Sequence, residues 1–332
     1  MPYAKHASAI ITAVFMSVRP SAACAGVKCR ASSLVSHGAD ATDCNERCAR
    51  MIGKNRHRDA GGMDRHESCP EAASGQGCGV LRHATSPGSY RHVRYAPPAA
   101  LADWLEYFWL ESWNLGGCEP QTREVLPHPC VHLVFARGRS RIYGVQLKRF
   151  VRQLSGNERI LGAKFRPGAF YPFLRAPVCS IANASIPVHQ LFSDALDAEE
   201  EIVACRDEPS MVEVASRFLV THLPPRDPNV ETVCRVVKEV VDDRSLTRVE
   251  DIVTRCGIQE RTLQRLFHRY VGASASWVVK RYRIYEALEQ LAVGKPSEWA
   301  LLAQDLGYYD QAHFINDFRK LVGQSPSEYV RI

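Results

Sequence analysis

Two stretches near the carboxyl terminus decide the fold: VEDIVTRCGIQERTLQRLFHRYVG at residues 249–272 and WALLAQDLGYYDQAHFINDFRKLVG at residues 299–323. In each stretch a helical pattern of about two turns ends at a glycine, Gly257 or Gly307, and a second helical pattern follows. Glycine adopts the left-handed backbone conformation that a sharp turn between two helices requires. Both stretches therefore predict a helix–turn–helix unit.

The spacing of the two units indicates what they do together. They lie 50 residues apart, counted from Gly257 to Gly307, and one long helical pattern joins them. A joining helix of about 16 residues spans roughly 24 Å, at 1.5 Å per residue. With its flanking turns, such a helix holds two recognition helices near the roughly 34 Å that separate successive major-groove segments of DNA. The pattern predicts a sequence-specific DNA-binding protein that reads two adjacent segments of the groove.

The helical register separates packing residues from reading residues in the first recognition helix. Leu263, Leu266, Phe267 and Tyr270 recur at intervals of three and four and predict a buried face. The residues predicted to point outward are Arg261, Gln264, Arg265 and His268. Arginine pairs with the O6 and N7 atoms of guanine, and glutamine pairs with adenine, so these side chains suit contacts with base edges.

The second recognition helix carries a different set of outward residues. Aligning Leu263 with Phe314 places Gln311, Ala312, Ile315 and Asn316 on its predicted DNA face. Alanine and isoleucine contact thymine methyl groups, so we expect this helix to discriminate less or to favour A·T pairs. His313 is interpreted as a phosphate or capping contact rather than a metal ligand. Asp310 is a good N-cap, whereas Gln259, the equivalent residue of the first unit, is a poor one.

The charge of the chain supports DNA binding only locally. The 42 basic and 36 acidic residues give a net charge of +6, which is too weak to indicate a nucleic-acid partner by itself. Residues 259–283, however, hold one acidic residue and six basic residues: Arg261, Arg265, Arg269, Lys280, Arg281 and Arg283. This cluster predicts a phosphate-attracting face, with Arg269, Lys280 and Arg281 among its contacts. It argues against an alternative function, an adaptor that does not bind DNA.

Residues 229–332 resemble the DNA-binding domain of the AraC/XylS family of bacterial transcription regulators. The resemblance rests on LQRLF at 263–267, GY at 307–308, DQAHF at 310–314 and FRK at 318–320, followed by Gly323, Pro326 and Tyr329. LPHPCVHLVF at 126–135 and LGAKFRPGAFYPFL at 161–174 resemble a family-associated amino-terminal domain of uncharacterised role.

The resemblance implies a cytoplasmic transcription regulator, with activation as one expected role, rather than an enzyme. It implies that the outward residues of both recognition helices touch base edges and that Lys320 belongs to the DNA-binding surface. The expected partner is double-stranded DNA, with RNA polymerase, a small-molecule effector and a second copy of the chain as further candidates. No cofactor and no membrane contact are expected.

The rest of the chain predicts an α+β organisation in four parts. Residues 1–89 lack periodicity and are interpreted as a disordered segment or as an extension upstream of the true start; a signal peptide is the alternative. Residues 90–222 predict a β-rich effector or oligomerisation domain, 223–229 a proline-rich linker, and 230–332 the all-α DNA-binding domain. The sequence has no run of 18 apolar residues and so predicts no transmembrane helix.

Some residues of the β-rich domain leave two interpretations open. His128, Cys130 and His132 alternate as on one strand face, which suits a zinc or copper site, but Pro129 interrupts the run. A buried cysteine between two exposed histidines is favoured instead. Trp109, Trp113 and Phe135 are predicted to fill the core rather than line an effector pocket, and the Arg-Pro-Gly run at 166–168 suits either an anion site or a turn.

An enzyme is the other alternative to a regulator. Cys44, Cys48, Cys69 and Cys78 resemble the zinc-thiolate centre of DNA-repair methyltransferases that carry the same helix–turn–helix domain. The second pair in those proteins is closely spaced, whereas Cys69 and Cys78 are nine residues apart. The sequence also lacks any Cys-x-x-Cys pair, so the regulator is favoured.

Overall fold

The fold is taken from a computed structural model, which describes residues 89–292 and 298–331. A β-rich part comes first and a helical part second, which confirms the predicted α+β class. The predictions for residues 1–88, including the disordered extension, the signal peptide and the cysteine centre, lie outside the described residues. Among the helices of the described ranges, none combines the length and the apolar content that crossing a bilayer requires.

The β-rich part contains one large antiparallel sheet and one small one. The strands are β1 (Ser89–Tyr95), β2 (Leu105–Asn114), β3 (Gln121–Val125), β4 (His132–Phe135), β5 (Arg141–Tyr143), β6 (Phe150–Leu154), β7 (Asn157–Phe165) and β8 (Ser185–Pro187). The large sheet has the order β1-β2-β7-β4-β5-β8, and β3 pairs with β6 separately. Four of these strands, β2, β4, β5 and β7, coincide with short apolar and aromatic runs of the sequence, at 107–113, 131–135, 142–145 and 160–165.

The helices follow in two groups. The β-rich part holds α1 (Tyr171–Leu174), α2 (Ala195–Ala204) and α3 (Glu208–Thr221). The carboxy-terminal part holds α4 (Pro228–Asp242), α5 (Val249–Cys256), α6 (Glu260–Leu266), α7 (Ala275–Ala292), α8 (Trp299–Asp305), α9 (Gln311–Val322) and α10 (Pro326–Arg331). Residues Phe267–Val271 extend α6 by one π-helical turn.

The two faces of the large sheet have different environments because side chains alternate along each strand. Phe108 and Leu110 of β2 are buried in the main core. On the same side of the sheet, Phe135 meets Phe218 of α3 edge to face, with 5.7 Å between ring centroids. The opposite face, which carries Tyr107 and Trp109, lines a cavity together with residues of β3 and β6.

The buried side chains form two main clusters that meet along α7. The first cluster runs from Val93 in β1 to Val279 in α7 and includes the first helix–turn–helix unit. The second contains Leu126 of the β-rich part and the residues of α7 from Ile284 onward, and it fills the second unit around Phe314 and Phe318. Helix α7 is therefore shared by both clusters, and the hydrophobic packing continues across the proline-rich segment 223–227.

A buried arginine fixes α7 to the end of α4. Arg283 is 3% exposed, and its Nη2 atom donates to the carbonyl oxygens of Val240 and Asp243 at 2.8 and 3.2 Å. Its Nη1 atom donates to Glu286 at 2.7 Å. The guanidinium satisfies carbonyl groups that the end of α4 leaves without helical partners.

Gly307 is expected to be the more sensitive of the two turn glycines. Both have positive φ, 65° at Gly257 and 74° at Gly307. A Cβ atom at Gly307 would overlap Thr247, which precedes α5, whereas a Cβ at Gly257 would meet nothing within 4 Å. Gly257→Ala should cost about 1–2 kcal/mol through the left-handed backbone alone. Gly307→Ala should cost about 1–3 kcal/mol more through overpacking, measured by urea unfolding. Equal losses would show that Thr247 moves away freely.

Candidate DNA-binding surface

The first helix–turn–helix unit is built by α5, Gly257 and α6. The carboxylate of Asp251 accepts the backbone N–H of Arg248 at 2.9 Å, which closes the start of α5. Gly257 then ends the helix, and its N–H donates to the carbonyl of Val253 at 3.0 Å. Gln259 starts α6 without a side-chain hydrogen bond, in agreement with its poor capping character.

The second unit is built by α8, Gly307 and α9. The carboxylate of Asp310 accepts the backbone N–H of His313 at 2.7 Å, as an N-cap does. Tyr308, the apolar residue of the turn, packs edge to face against Phe314, with 5.4 Å between ring centroids. Gly323 ends α9 with a φ of 94°. The turn therefore holds α9 at a fixed angle to α8.

The register deduced for α6 agrees with the burial in the structure. Leu263, Leu266, Phe267 and Tyr270 are buried. The exposed positions of α6 and of the π-helical turn after it are Glu260, Arg261, Gln264, Arg265, His268 and Arg269. On α9 the exposed positions are Gln311, Ala312, His313, Asn316, Arg319 and Lys320, while Ile315 is half-buried against the second core cluster.

The prediction that Arg281 belongs to the phosphate-binding face is wrong. It is fully buried, and burial lowers the pKa of its guanidinium to about 10. Its Nη2 atom donates to the carbonyl oxygen of Leu147 at 3.0 Å, and the guanidinium lies over the ring of Trp277. Arg281 therefore joins α7 to the β-rich part and is not available to DNA in this arrangement. Arg283 is likewise buried, so the cluster of six basic residues is not one exposed face.

Four other predicted DNA contacts already have side-chain partners. Gln264 donates from Nε2 to the carboxylate of Glu260 within α6, at 2.6 Å. Arg269 donates from Nε to the Tyr171 hydroxyl at 2.7 Å and lies over that ring. His268 contacts the thiol of Cys179, with 3.4 Å between Nδ1 and Sγ. Lys280 forms an ion pair with Asp317 of α9, at 3.0 Å. Neither Tyr171 nor Cys179 could be recognised from the sequence, because neither belongs to the helix–turn–helix pattern.

The weak metal candidates do not form a site. The Nδ1 atom of His132 accepts the indole N–H of Trp109 at 3.1 Å, and burial together with nearby Lys164 lowers the pKa of His132 to about 3. Cys130 lies 3.8 Å from Glu106, and burial raises the pKa of its thiol. His128 stacks on Tyr285 with 4.1 Å between ring centroids. Within the described residues, no three His, Cys, Asp or Glu side chains come together as metal ligands.

The other residues of the β-rich part with two possible interpretations lie in the core, in the cavity lining or in a turn. Trp113 and Phe135 are buried in the core, as favoured. Trp109 instead lines the cavity between the two sheets. The run at 166–168 forms a turn in which Arg166 donates to the carbonyl of Ala102 at 2.7 Å and Gly168 has a φ of 85°.

Comparisons with known proteins agree with this arrangement. Family models match residues 93–187 to a domain of unknown function (DUF6597) and residues 252–332 to a helix-turn-helix domain. A comparison with curated proteins finds no match.

Two solved structures illustrate the level of structural similarity. A probable AraC family transcriptional regulator from Rhodopseudomonas palustris is 26% identical and has a TM-score of 0.28, over 30% of this chain and 95% of that one. An apo variant of ToxT from Vibrio cholerae is 12% identical and has a TM-score of 0.37, over 68% of this chain and 97% of that one.

The paired helix–turn–helix units define the class: this is a DNA-binding transcription regulator. More closely, the chain carries a helix–turn–helix domain, whose sequence resembles that of AraC/XylS regulators, behind a domain of unknown function. None of the comparisons favours the DNA-repair methyltransferase alternative.

Arg281→Ala and Lys320→Ala should separate a structural arginine from a phosphate contact. Lys320→Ala should weaken binding to all duplexes and lower the salt slope by about one, with stability unchanged. Arg281→Ala should leave the salt slope unchanged and lower the free energy of unfolding by roughly 1–3 kcal/mol, since it removes packing and a hydrogen bond. A stable Arg281→Ala protein with a reduced slope would restore Arg281 to the DNA surface.

Proposed function

We propose that the protein reads two adjacent major-groove segments with α6 and α9, and that residues 89–222 regulate this binding. The observation that carries the first part is the exposure of polar side chains along both recognition helices, opposite their buried aromatic anchors. Arg265 and Gln264 are the proposed base readers of α6, and Gln311 and Asn316 are those of α9. Arg261, Ala312, His313 and Lys320 complete the proposed surface.

The length of α7 suits this mode of binding. Its 18 residues correspond to about 27 Å at 1.5 Å per residue. With the turns at its ends, α7 spaces the recognition helices close to one helical repeat of DNA. We further propose that the protein acts on DNA in the cytoplasm, with RNA polymerase and a second copy of the chain as candidate partners.

The second part of the proposal rests on contacts between the β-rich part and both units. The Tyr171 hydroxyl and the Cys179 thiol engage Arg269 and His268 at the end of the first recognition helix. At the second unit, Leu126 is buried in the core cluster, and its carbonyl oxygen accepts a hydrogen bond from the Tyr285 hydroxyl. A change in the β-rich part is therefore transmitted directly to the DNA-binding part, without a flexible intermediate.

Base readers should differ from phosphate contacts in a sequence selection. After duplexes bound by the full chain are selected from a random pool, Arg265→Ala and Asn316→Ala should each relax preference at one base position. The expected loss is about 1–3 kcal/mol of discrimination. Lys320→Ala serves as the control that weakens all sequences alike. If Arg265→Ala weakened selected and random DNA equally, Arg265 would be a phosphate contact and the assigned face would be rotated by about one residue.

Release of Arg269 should strengthen DNA binding. Tyr171→Ala removes both the hydroxyl acceptor and the aromatic ring beneath the guanidinium, so Arg269 becomes free to pair with a phosphate. We expect the salt slope to rise by about one. The gain should vanish in the double variant Tyr171→Ala/Arg269→Ala, and thermal unfolding verifies that each variant is folded. An unchanged slope in the folded single variant would contradict a restraining role for this contact.

A further inference from the structure

The two recognition helices end at equivalent glycines. The alignment that pairs Leu263 with Phe314 also pairs Gly272 with Gly323, since 51 residues separate the members of each pair. Gly272 follows the π-helical turn that extends α6, and Gly323 follows α9. Both glycines have a left-handed backbone, with φ of 87° and 94°. They therefore mark the same point in the two helix–turn–helix units.

The β-rich part approaches both of these glycines closely. A Cβ atom at Gly272 would lie 3.0 Å from the Cγ1 atom of Val178 and 3.2 Å from the backbone nitrogen of Cys179. A Cβ atom at Gly323 would overlap the guanidinium group of Arg149. The absence of a side chain at both positions permits this approach. One part of the molecule thus contacts the carboxyl ends of both recognition helices.

Hydrogen bonds join the two contacting segments, residues 144–149 and 178–184, to each other. The side-chain oxygen of Asn183 accepts the backbone N–H of Leu147 at 2.8 Å. The backbone N–H of Asn183 donates to the carbonyl oxygen of Val145 at 2.9 Å. We call these two segments the bridge, because together they connect the end of the first recognition helix to the end of the second.

Asn183 has a strained backbone conformation within the bridge. Its φ is 57°, in the left-handed region that most residues with a side chain avoid. Asparagine tolerates this region better than most, because its short polar side chain can form a local hydrogen bond. Such strain persists only where the surrounding structure fixes it. In this conformation both the backbone N–H and the side-chain oxygen of Asn183 reach residues 145–147.

The bridge is also anchored on the side of the second unit. Arg149 donates from Nη1 to the carboxylate of Glu124 in β3 at 2.8 Å. The carbonyl oxygen of Leu147 accepts a hydrogen bond from Arg281 of α7 at 3.0 Å. Leu147 is therefore bound to Asn183 through its N–H and to α7 through its carbonyl group. The two recognition helices have two connections, one through α7 and one through the bridge.

We infer that the bridge fixes the spacing at which the protein reads two major-groove segments, with Asn183 and Arg149 as positioning residues. This inference rests on the proposed function. Successive base pairs rise by about 3.4 Å, and about 10–10.5 of them complete one turn, so each added base pair moves and rotates one segment relative to the other. Recognition helices with two connections follow this change less readily than helices joined by α7 alone, because their geometry is pre-organised.

Binding of the full chain to duplexes of altered spacing tests the inference. A site is first selected from random duplexes by the wild-type protein, and one base pair is then inserted or removed between its two halves. The inserted base pair should weaken wild-type binding about tenfold, comparable with the loss of a base contact. Asn183→Gly keeps the backbone conformation but loses the side-chain acceptor, so the same insertion should cost it about threefold or less. Asn183→Asp retains an acceptor for the N–H of Leu147 and should behave as the wild type.

Arg149→Ala is the second test variant. It should relax the spacing preference in the same way, whereas Arg139→Ala, which removes an arginine paired with Glu158 within the β-rich part, should not. A merely structural role would lower thermal stability without changing the ratio of affinities for two spacings. Unchanged ratios in both folded test variants, or equal wild-type affinity for all spacings, would overturn the inference and leave DNA binding intact. A wild-type chain that binds no duplex, or whose selected site has a single half, would overturn the proposed function and the inference with it.

Discussion

The sharing of α7 between two hydrophobic clusters is the constraint on which the arrangement depends. Val278 and Val279 belong to the cluster of the first unit and the β-rich part, while Ile284 and Tyr285 belong to the cluster of the second unit. Because protein interiors are close-packed, a rotation of α7 that changed its packing in one cluster would also disturb its packing in the other. The buried guanidinium of Arg283 adds a polar restraint at the same place. The relative orientation of the two recognition helices is thus set by packing rather than by a flexible joint.

The helix–turn–helix units could be predicted in detail because their signals are local. Gly257 and Gly307 are required by backbone geometry, and the interval of three and four residues from Leu263 to Tyr270 defines a face without reference to any partner. The N-cap role of Asp310 depends on one hydrogen bond, which its carboxylate accepts from the backbone N–H of His313, three residues further along the chain. These features are encoded within single segments, and the structure confirms each of them.

The long-range contacts could not be predicted in this way. Arg281 and Arg283 contributed to the count of basic residues, yet both are buried, because a count of charges carries no information on which side of α7 each residue lies. Strands β1, β3, β6 and β8 lie outside the apolar runs of the sequence. In β1, for example, the alternating residues Tyr90, His92 and Arg94 are polar or amphipathic rather than apolar. Those polar residues face a cavity rather than solvent. The alternation of these residues with Val93 and Tyr95 was the signal in the sequence from which β1 could have been predicted.

The β-rich part contacts the DNA-binding part in two different ways. At the first unit, Tyr171 and Cys179 engage Arg269 and His268, which are exposed side chains at the end of the first recognition helix; under the proposed function, these contacts would compete with phosphate for the same groups. At the second unit, Leu126 and His128 pack on α7 rather than on the recognition helix α9. These contacts therefore help to set the position of α7. A ligand shifts such an equilibrium only by the difference between its affinities for the two states. Leu126 and His128 line the cavity between the sheets and also pack on α7, so the same two residues join the β-rich part to the helix between the two units.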